Sequence, residues 1–349
     1  MSLHSTTVVV RKIFYGGLIG VGILFAFFIV PGILKSLTPK KIPPPTVSFG
    51  KLPPVAFPQQ TTTTPVTEKY SINTVSGLLP ILPDRATIYP MVQYQSDLLD
   101  LDKAKALVST GDFPNPPQAL SETLYEWDSP NAPFKILQYN ILTHDFTLTS
   151  SYITDPIAIA ANNLGDQNAA VSIAKNFLAS FNAYTSDIDE TKTKTTLYSI
   201  NGETQQLQPA ISLSTTQIMQ VDFFQQDVNK LPIYYPDAPH SLITTIVAMT
   251  NTGEQVVQAT VVHKAITDQS GTYPIKTAQQ AFQELQTASS SAYIAAPANP
   301  PMNPVIIRDV SLGYYMGKDS TYLMPIIIFQ GDNGFFAYVS AVANAWIQQ

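Results

Sequence analysis

The chain has 349 residues, 45% of them hydrophobic and 13% charged, and contains no cysteine. That length and apolar share can fill one large or two to three small cores and exclude a disordered protein, while the missing cysteine excludes disulfides, thiol nucleophiles and Cys-ligated zinc. Of 19 Lys and Arg, six (Arg11, Lys12, Lys35, Lys40, Lys41, Lys51) precede Leu52 without one acid, leaving 13 against all 25 acids beyond, a balance that argues against nucleic acid as a partner.

After a short basic tail, 1–12, the twenty-two residues 13–34 (IFYGGLIGVGILFAFFIVPGIL) carry no charge. A helix of that length covers a hydrocarbon core of about 30 Å, so a transmembrane helix is predicted. The stretch runs into Pro31-Gly32 and Lys35 without an A-x-A-like site, which points to an uncleaved single-pass anchor rather than a signal peptide. Basic residues lie on both flanks, and the short head favours the head inside and the body outside the membrane. Gly16 and Gly20 form a G-x-x-x-G pair through which two such helices can self-associate.

Residues 35–67 are rich in Pro and Thr, and the prolines, which fix φ and remove donors, predict a stalk. Val47, Phe49, Leu52, Val55 and Phe57 are unusual in a solvated spacer and place it against lipid headgroups or its own domain. Beyond it, Leu98, Leu101, Ala104 and Val108 share a helical face over 98–108, followed by strands at 123–127 and 134–152. A second helix, over 168–184, carries Ala170, Ile173, Ala174, Phe177, Phe181 and Tyr184 as its apolar stripe, with Asp166 as cap. Strands 195–200 and 204–209 flank Asn201-Gly202, a type I′ hairpin signal; alternation marks a strand over 219–223, and 241–250 pairs with 255–266 across Asn251-Thr-Gly253.

The third helix begins at Thr277, which with Gln280 makes a capping box before Ala278, Ala281, Phe282 and Leu285. Strands follow over 305–312, 322–330 and 335–342. A helix followed by an antiparallel meander thus occurs three times. The predicted fold is α+β: a transmembrane helix, a stalk, and tandem helix-plus-antiparallel-sheet modules at 68–155 and 156–349, the second holding two helix-plus-meander units.

No common catalytic signature is present. The four histidines, His4, His144, His240 and His263, lack metal-ligand spacing. Gly317-Lys318-Asp319-Ser320-Thr321 precedes a strand where a phosphate loop requires a helix, and so reads as a hairpin tip. His144-Asp145 and Arg308-Asp309 are strand neighbours pointing to opposite faces, which denies each a mutual bond. Asp97, Asp100 and Asp102, like Asp187, Asp189 and Glu190, lack the glycine-bearing loop of an EF-hand and read as helix starts and turns. No cofactor or metal is expected. The last sheet concentrates aromatic residues, of which Tyr314, Tyr315, Tyr322, Phe336 and Tyr338 are the candidate protein-binding face, with core packing as the alternative.

The run YPIKTAQQAFQEL (Tyr273 to Leu285), followed by RDVSLGYY, YLMPIIIFQG and Ala337 to Val339, resembles the C-terminal region of bacterial extracytoplasmic proteins of the YycH/YycI type and the broader group of PepSY-like modules. VDFFQQDVNKLPIYY (Val221 to Tyr235) and LYEW (Leu124 to Trp127) fit such tandem modules. The likeness covers roughly residues 220 to 342. It implies a single-span protein whose outer part binds another protein, often tuning a membrane histidine kinase or a peptidase, with no catalytic residue to carry over. The long stalk departs from the compact joint of a kinase regulator. The expectation is therefore a non-enzymatic binding protein of the envelope, engaging a protein partner through its sheets; the rivals are a structural stalk of a surface assembly and a hydrolase using two carboxylates from distant segments.

Overall fold

The segment YLMPIIIFQG forms a strand with almost nothing exposed, because both of its faces are covered: Ile327 and Phe329 point into one apolar cluster, Ile326 and Ile328 into another. A strand buried on both faces reads as a continuous apolar run, which is why alternation is lost there. The computed structural model describes residue 14, residues 43–59, and residues 69–348 apart from 110, 112, 132, 162–163 and 288–289. Pro45 to Gln349 make one compact body.

The strands in chain order are β1 (Tyr70–Ile72), β2 (Arg85–Pro90), β3 (Gln118–Ala119), β4 (Leu124–Ser129), β5 (Lys135–Asn140), β6 (Phe146–Ser150), β7 (Lys194–Asn201), β8 (Gln206–Pro209), β9 (Ile218–Phe223), β10 (Ile233–Tyr234), β11 (Ile243–Thr250), β12 (Gly253–Val261), β13 (Gly271–Pro274), β14 (Ala292–Ala296), β15 (Val305–Tyr315), β16 (Tyr322–Gly331) and β17 (Phe336–Ser340). Four α-helices accompany them among the described residues: α1 (Asp100–Val108), α2 (Pro156–Ala160), α3 (Gln167–Ser180) and α4 (Ala278–Gln286). The fold is mostly β.

One sheet has nine strands in the order β3-β4-β5-β6-β12-β11-β9-β7-β8, every pair antiparallel. Helices α1 and α3 cover one face: Ala104, Val108, Ala170, Ala174 and Leu178 pack on Leu137, Leu148, Met219, Val221, Val247 and Ala259. Helix α3 starts where expected, with the Asp166 carboxylate accepting the Ala169 N–H at 2.7 Å. The second sheet has eight strands on the path β1-β15-β16-β17-β14, with β10 parallel to β15, and β2 paired with both β13 and β16. Helix α4, held by the Thr277–Gln280 capping box, covers one of its faces through Ala278, Ala281, Phe282 and Leu285.

Tandem helix-plus-sheet modules are not what forms. The β6 backbone pairs with β12, so strands from either side of Asp155-Pro156 lie in one sheet. β1 and β2, which precede α1, pair in the other sheet with β15, β13 and β16. Apolar periodicity specifies an element and its buried face but leaves its neighbours open, and pairing here joins segments more than a hundred residues apart.

The single-pass membrane architecture is corrected as well. The span expected at 13–34, including Gly16 and Gly20, lies outside the described residues except for Phe14, and no helix among the described residues is long and apolar enough to cross a membrane. The longest of those four, α3, has 14 residues, about 21 Å, with polar positions along its outer side.

Part of the expected stalk is structural. Residues 45–57 form a strap on the second sheet: Val47 N–H donates to Thr272 O at 3.0 Å, Leu52 N–H to Trp346 O at 2.8 Å, and the Tyr273 hydroxyl accepts from Phe49 N–H while donating to Gly50 O. Leu52 is fully buried with Ile88, Tyr273, Met324 and Val342. Phe57 stacks on Tyr293 and meets Tyr315 edge-on at 4.8 Å. Gly271 makes the approach possible, since a Cβ there would stand 3.1 Å from the Phe49 ring.

The β7–β8 connection is not a type I′ turn. Asn201 pairs with Gln206, Gln205 takes the left-handed conformation, and the Asn201 carboxamide oxygen accepts from Glu203 and Thr204 N–H, so the loop is longer by the Asn side chain's preference for its own backbone.

Candidate functional site

The five aromatic residues expected to form one binding face do not share one. Strand alternation sends Tyr314 and Tyr315 to opposite sides of β15. Tyr314 packs with Met91, Ile233 and Leu323 and donates to Thr87 O at 2.9 Å; Tyr315 packs with Ile326, Ile328 and Tyr338 and donates to Ala56 O at 3.3 Å. Neither exposes more than 1% of its surface, and burial pushes both phenols well up. Tyr322 lies beside Phe49 of the strap, ring centroids 5.6 Å apart. Phe336 is half-buried, and Tyr338, fully buried, donates to Tyr235 O at 3.1 Å. Of the five, Phe336 and Tyr338 meet at a common concavity.

That concavity is a groove of about 440 Å³ where strand ends of the nine-stranded sheet approach the second sheet. One wall comes from β7 and its preceding turn (Thr191 to Lys194), from Phe224 and Gln225 after β9, and from His240 before β11. The other comes from β10 (Ile233, Tyr234), Gln330, Phe336 and Tyr338. Its floor is aromatic. Gly313 of β15 lets the Tyr234 ring lie flat in this floor, because a Cβ there would stand 2.8 Å from that ring and 2.9 Å from Ile328.

The charged side chains lining the groove are Lys192, Lys194 and His240. Lys192 is paired with Asp227, and at 3.8 Å with Asp189. Lys194 is exposed, with Nζ 5.2 Å from the Phe224 ring centroid, and has no carboxylate partner among the described residues. His240 is anchored from behind: its Nδ1 lies 3.1 Å from Asp222 Oδ2, so the neutral or charged ring donates there and turns Nε2 away from the carboxylate. Asp222 also accepts from Thr244 Oγ1 at 2.5 Å and Gln220 Nε2 at 3.0 Å. Burial pushes the Asp222 carboxyl up, but hydrogen bonds from His240, Thr244 and Gln220 outweigh it and hold it below the usual range; the Asp222 hydrogen bond raises His240. The registers Lys194↔Asp222 and Thr244↔Asp222 place these three residues side by side across β7, β9 and β11.

A second imidazole–carboxylate pair lies next to the groove. His263 Nε2 is 2.9 Å from Asp187 Oδ2, Thr185 Oγ1 donates to Asp187 Oδ1 at 2.5 Å, and the Gln225 carboxamide bridges Asp187 and Lys264 O. Hydrogen bonds from His263, Thr185 and Gln225 overcome burial and hold Asp187 well below the carboxylate range. A hydroxyl–imidazole–carboxylate triad needs its hydroxyl and carboxylate on different ring nitrogens, whereas Thr185 and Asp187 both face Nε2 here. The Thr185 proton is given to Asp187, and the knot is structural.

His144 and Asp145 do not act together. They sit in the β5–β6 turn rather than in a strand; His144 has φ 63° and stacks on Tyr139, while Asp145 accepts from Thr143 Oγ1 and from His263 N–H, and burial raises its carboxyl. Arg308 reaches across to Asp332 in a fork of 2.9 and 2.8 Å. The Gly317–Thr321 run closes a turn, with Gly317 N–H donating to Ser320 Oγ. Asp97 pairs with Lys103, and Asp189 caps a 3₁₀ turn, Glu190–Lys192. No group of three or more metal-ligating side chains occurs among the described residues. Both His–Asp pairs escaped the sequence because their partners are 18 and 76 residues apart.

No protein-family model, no curated protein and no solved structure matches this chain. The likeness to YycH/YycI-type proteins rests on the residues quoted for it.

Proposed function

We propose that this chain is a binding protein and not an enzyme, and that the groove between its sheets receives a segment of another polypeptide. The observation that carries this reading is the groove itself: a preformed concavity with an aromatic floor, a cationic rim and, among the described residues, no nucleophile–base pair directed into it. Aromatic side chains offer large contact area at low entropic cost, and the half-buried Tyr234 is locked by β10 and Gly313 over the fully buried Tyr338, so little ordering is required on binding. The polar groups behind the wall act as braces: Asp222 positions His240, and Gln225 ties the wall to Asp187.

Selection of the full-length chain against a random peptide library tethered in turn by its N- and C-terminus tests this. Wild type should enrich a recognisable sequence class, and Thr193→Trp or Gln330→Trp, which fill the groove, should abolish capture of the enriched peptides without lowering the melting temperature. Glu203→Trp, at the distant β7–β8 loop, should bind as wild type. No enrichment, or enriched peptides captured equally by the filled grooves, would sink the reading.

A further inference from the structure

The chemistry of the groove narrows its occupant, on the reading that the occupant is a polypeptide. Beyond Leu52 the chain carries 13 basic and 25 acidic residues, yet the charged side chains lining the groove are all basic. Lys192 is already neutralised by Asp227 and Asp189. Lys194 forms no ion pair among the described residues, although the register sets Asp222 opposite it, and it stands over an apolar surface, the Phe224 ring. His240, fixed by Asp222, is the second polar donor on the same wall, with Lys194 and the exposed Asp237 as its other charged neighbours.

One unneutralised cation beside an aromatic floor calls for one carboxylate and one apolar group held close together. An internal acidic residue meets this poorly. Along an extended segment its neighbour points to the opposite side, and the next residue on the same side stands about 7 Å further on. The last residue of a chain carries both groups on one Cα, next to a peptide N–H. We propose that the groove captures the C-terminal residue of a partner polypeptide, with the free carboxylate on Lys194 and His240 and an apolar side chain on Phe224 and Phe336. Terminal carboxylate capture is an established mode of peptide recognition and gives specificity for chain ends over internal sequence.

The test is fluorescence polarisation of the full-length chain with N-terminally labelled hexapeptides Gly-Ser-Gly-Ser-Ala-Xaa, where Xaa is Ala, Val, Leu or Phe. Each is measured as the free acid and as the C-terminal amide, beside an amidated peptide carrying an internal Asp-Phe. At least one free acid should bind about tenfold tighter than its amide, a preference that Lys194→Gln removes and Lys194→Arg largely keeps. Lys194 is exposed, so neither change should move the melting temperature. Equal binding of acids and amides, binding of none of the acids, an acid preference untouched by Lys194→Gln, or an internal-acid peptide that matches the best free acid would each overturn the proposal. If the library experiment meanwhile enriches groove-dependent internal sequences, the binding reading stands and only the chain-end assignment falls; if neither experiment finds a groove-dependent peptide, both fall.

Discussion

The two sheets solve the same covering problem differently. The nine-stranded sheet hides one face under α1 and α3 and gives its other face a mixed surface, with Ile218, Ile246 and Ala248 in a small cluster beside the polar Asp222, Gln220 and His240. The second sheet packs one face on α4 and on loop residues such as Leu231 and Leu242, and its other face is apolar and aromatic. No second helix covers it among the described residues; the proline-rich strap and the C-terminal residues Trp346 and Ile347 cover part of it. A segment that prolines bar from both helix and central strand is suited to this task, because a strap needs few ladder hydrogen bonds and gains its stability from Leu52 and Phe57. The part of the aromatic face the strap leaves uncovered contains the groove.

The sharpest way to break this comparison is Leu52→Ala. If the strap is core, the change should cost about 3 kcal/mol in urea unfolding, comparable with Leu178→Ala in α3, since both side chains are fully buried. A cost near zero at Leu52 alone would make the strap a loose decoration.

The polar face of the nine-stranded sheet is probed by Asp222→Asn, expected to destabilise by about 2 kcal/mol because it uncouples a buried donor set. The pair has its own pH signature. Asp222 is depressed below 3.8, so its contribution is present above that value and is lost as pH falls through the folded-state value; His240 is raised above 6.5, so its contribution is full below 6.5 and is lost as pH rises through the raised value. Stability from the pair should therefore be greatest between about pH 4 and 6.5, and the decline above 6.5 should vanish in His240→Gln, measured by thermal melts across pH.

Gly313→Ala sharpens the claim that the groove floor depends on a missing side chain. The new methyl group meets Tyr234 and Ile328 below 3 Å, and about 1.5 kcal/mol of destabilisation is expected, accompanied by loss of peptide binding. The smallest effect is at the helix over the second sheet: Thr277→Ala removes the hydroxyl that accepts from Gln280 N–H, leaving the backbone half of the capping box, and should cost about 1 kcal/mol, with amide exchange accelerating first in α4.

Much of the secondary structure was legible locally. The Asp166 and Thr277 caps, the apolar stripe of α3, the β15–β16 hairpin, β4 and the β11–β12 strands follow from periodicity and turn chemistry over windows of a dozen residues, whereas the turn that splits 134–152 into β5 and β6 did not. The two- to four-residue strands β3, β10 and β13 carry no such period and were invisible, as was the strap's role, because proline-rich text reads alike whether it is solvated or pinned by partners far away in sequence. Of the site, Phe336 and Tyr338 were singled out, but so were Tyr314, Tyr315 and Tyr322, which turned inward. Lys194, Tyr234 and His240 were not, since nothing near any one of them marks it as a neighbour of the others.

By itself the sequence determined where α1, α3 and α4 form, several of the longer strands, and the excess of acids over bases in the body, because these depend on residues within a few positions of one another; α2, β2 and β14 were not among them. The grouping of strands into two sheets, the burial of the strap and the convergence of β7, β10 and β17 on one groove were decided only by tertiary structure. Each is a choice among many sterically possible pairings, settled by apolar faces that find cover across more than a hundred residues of chain.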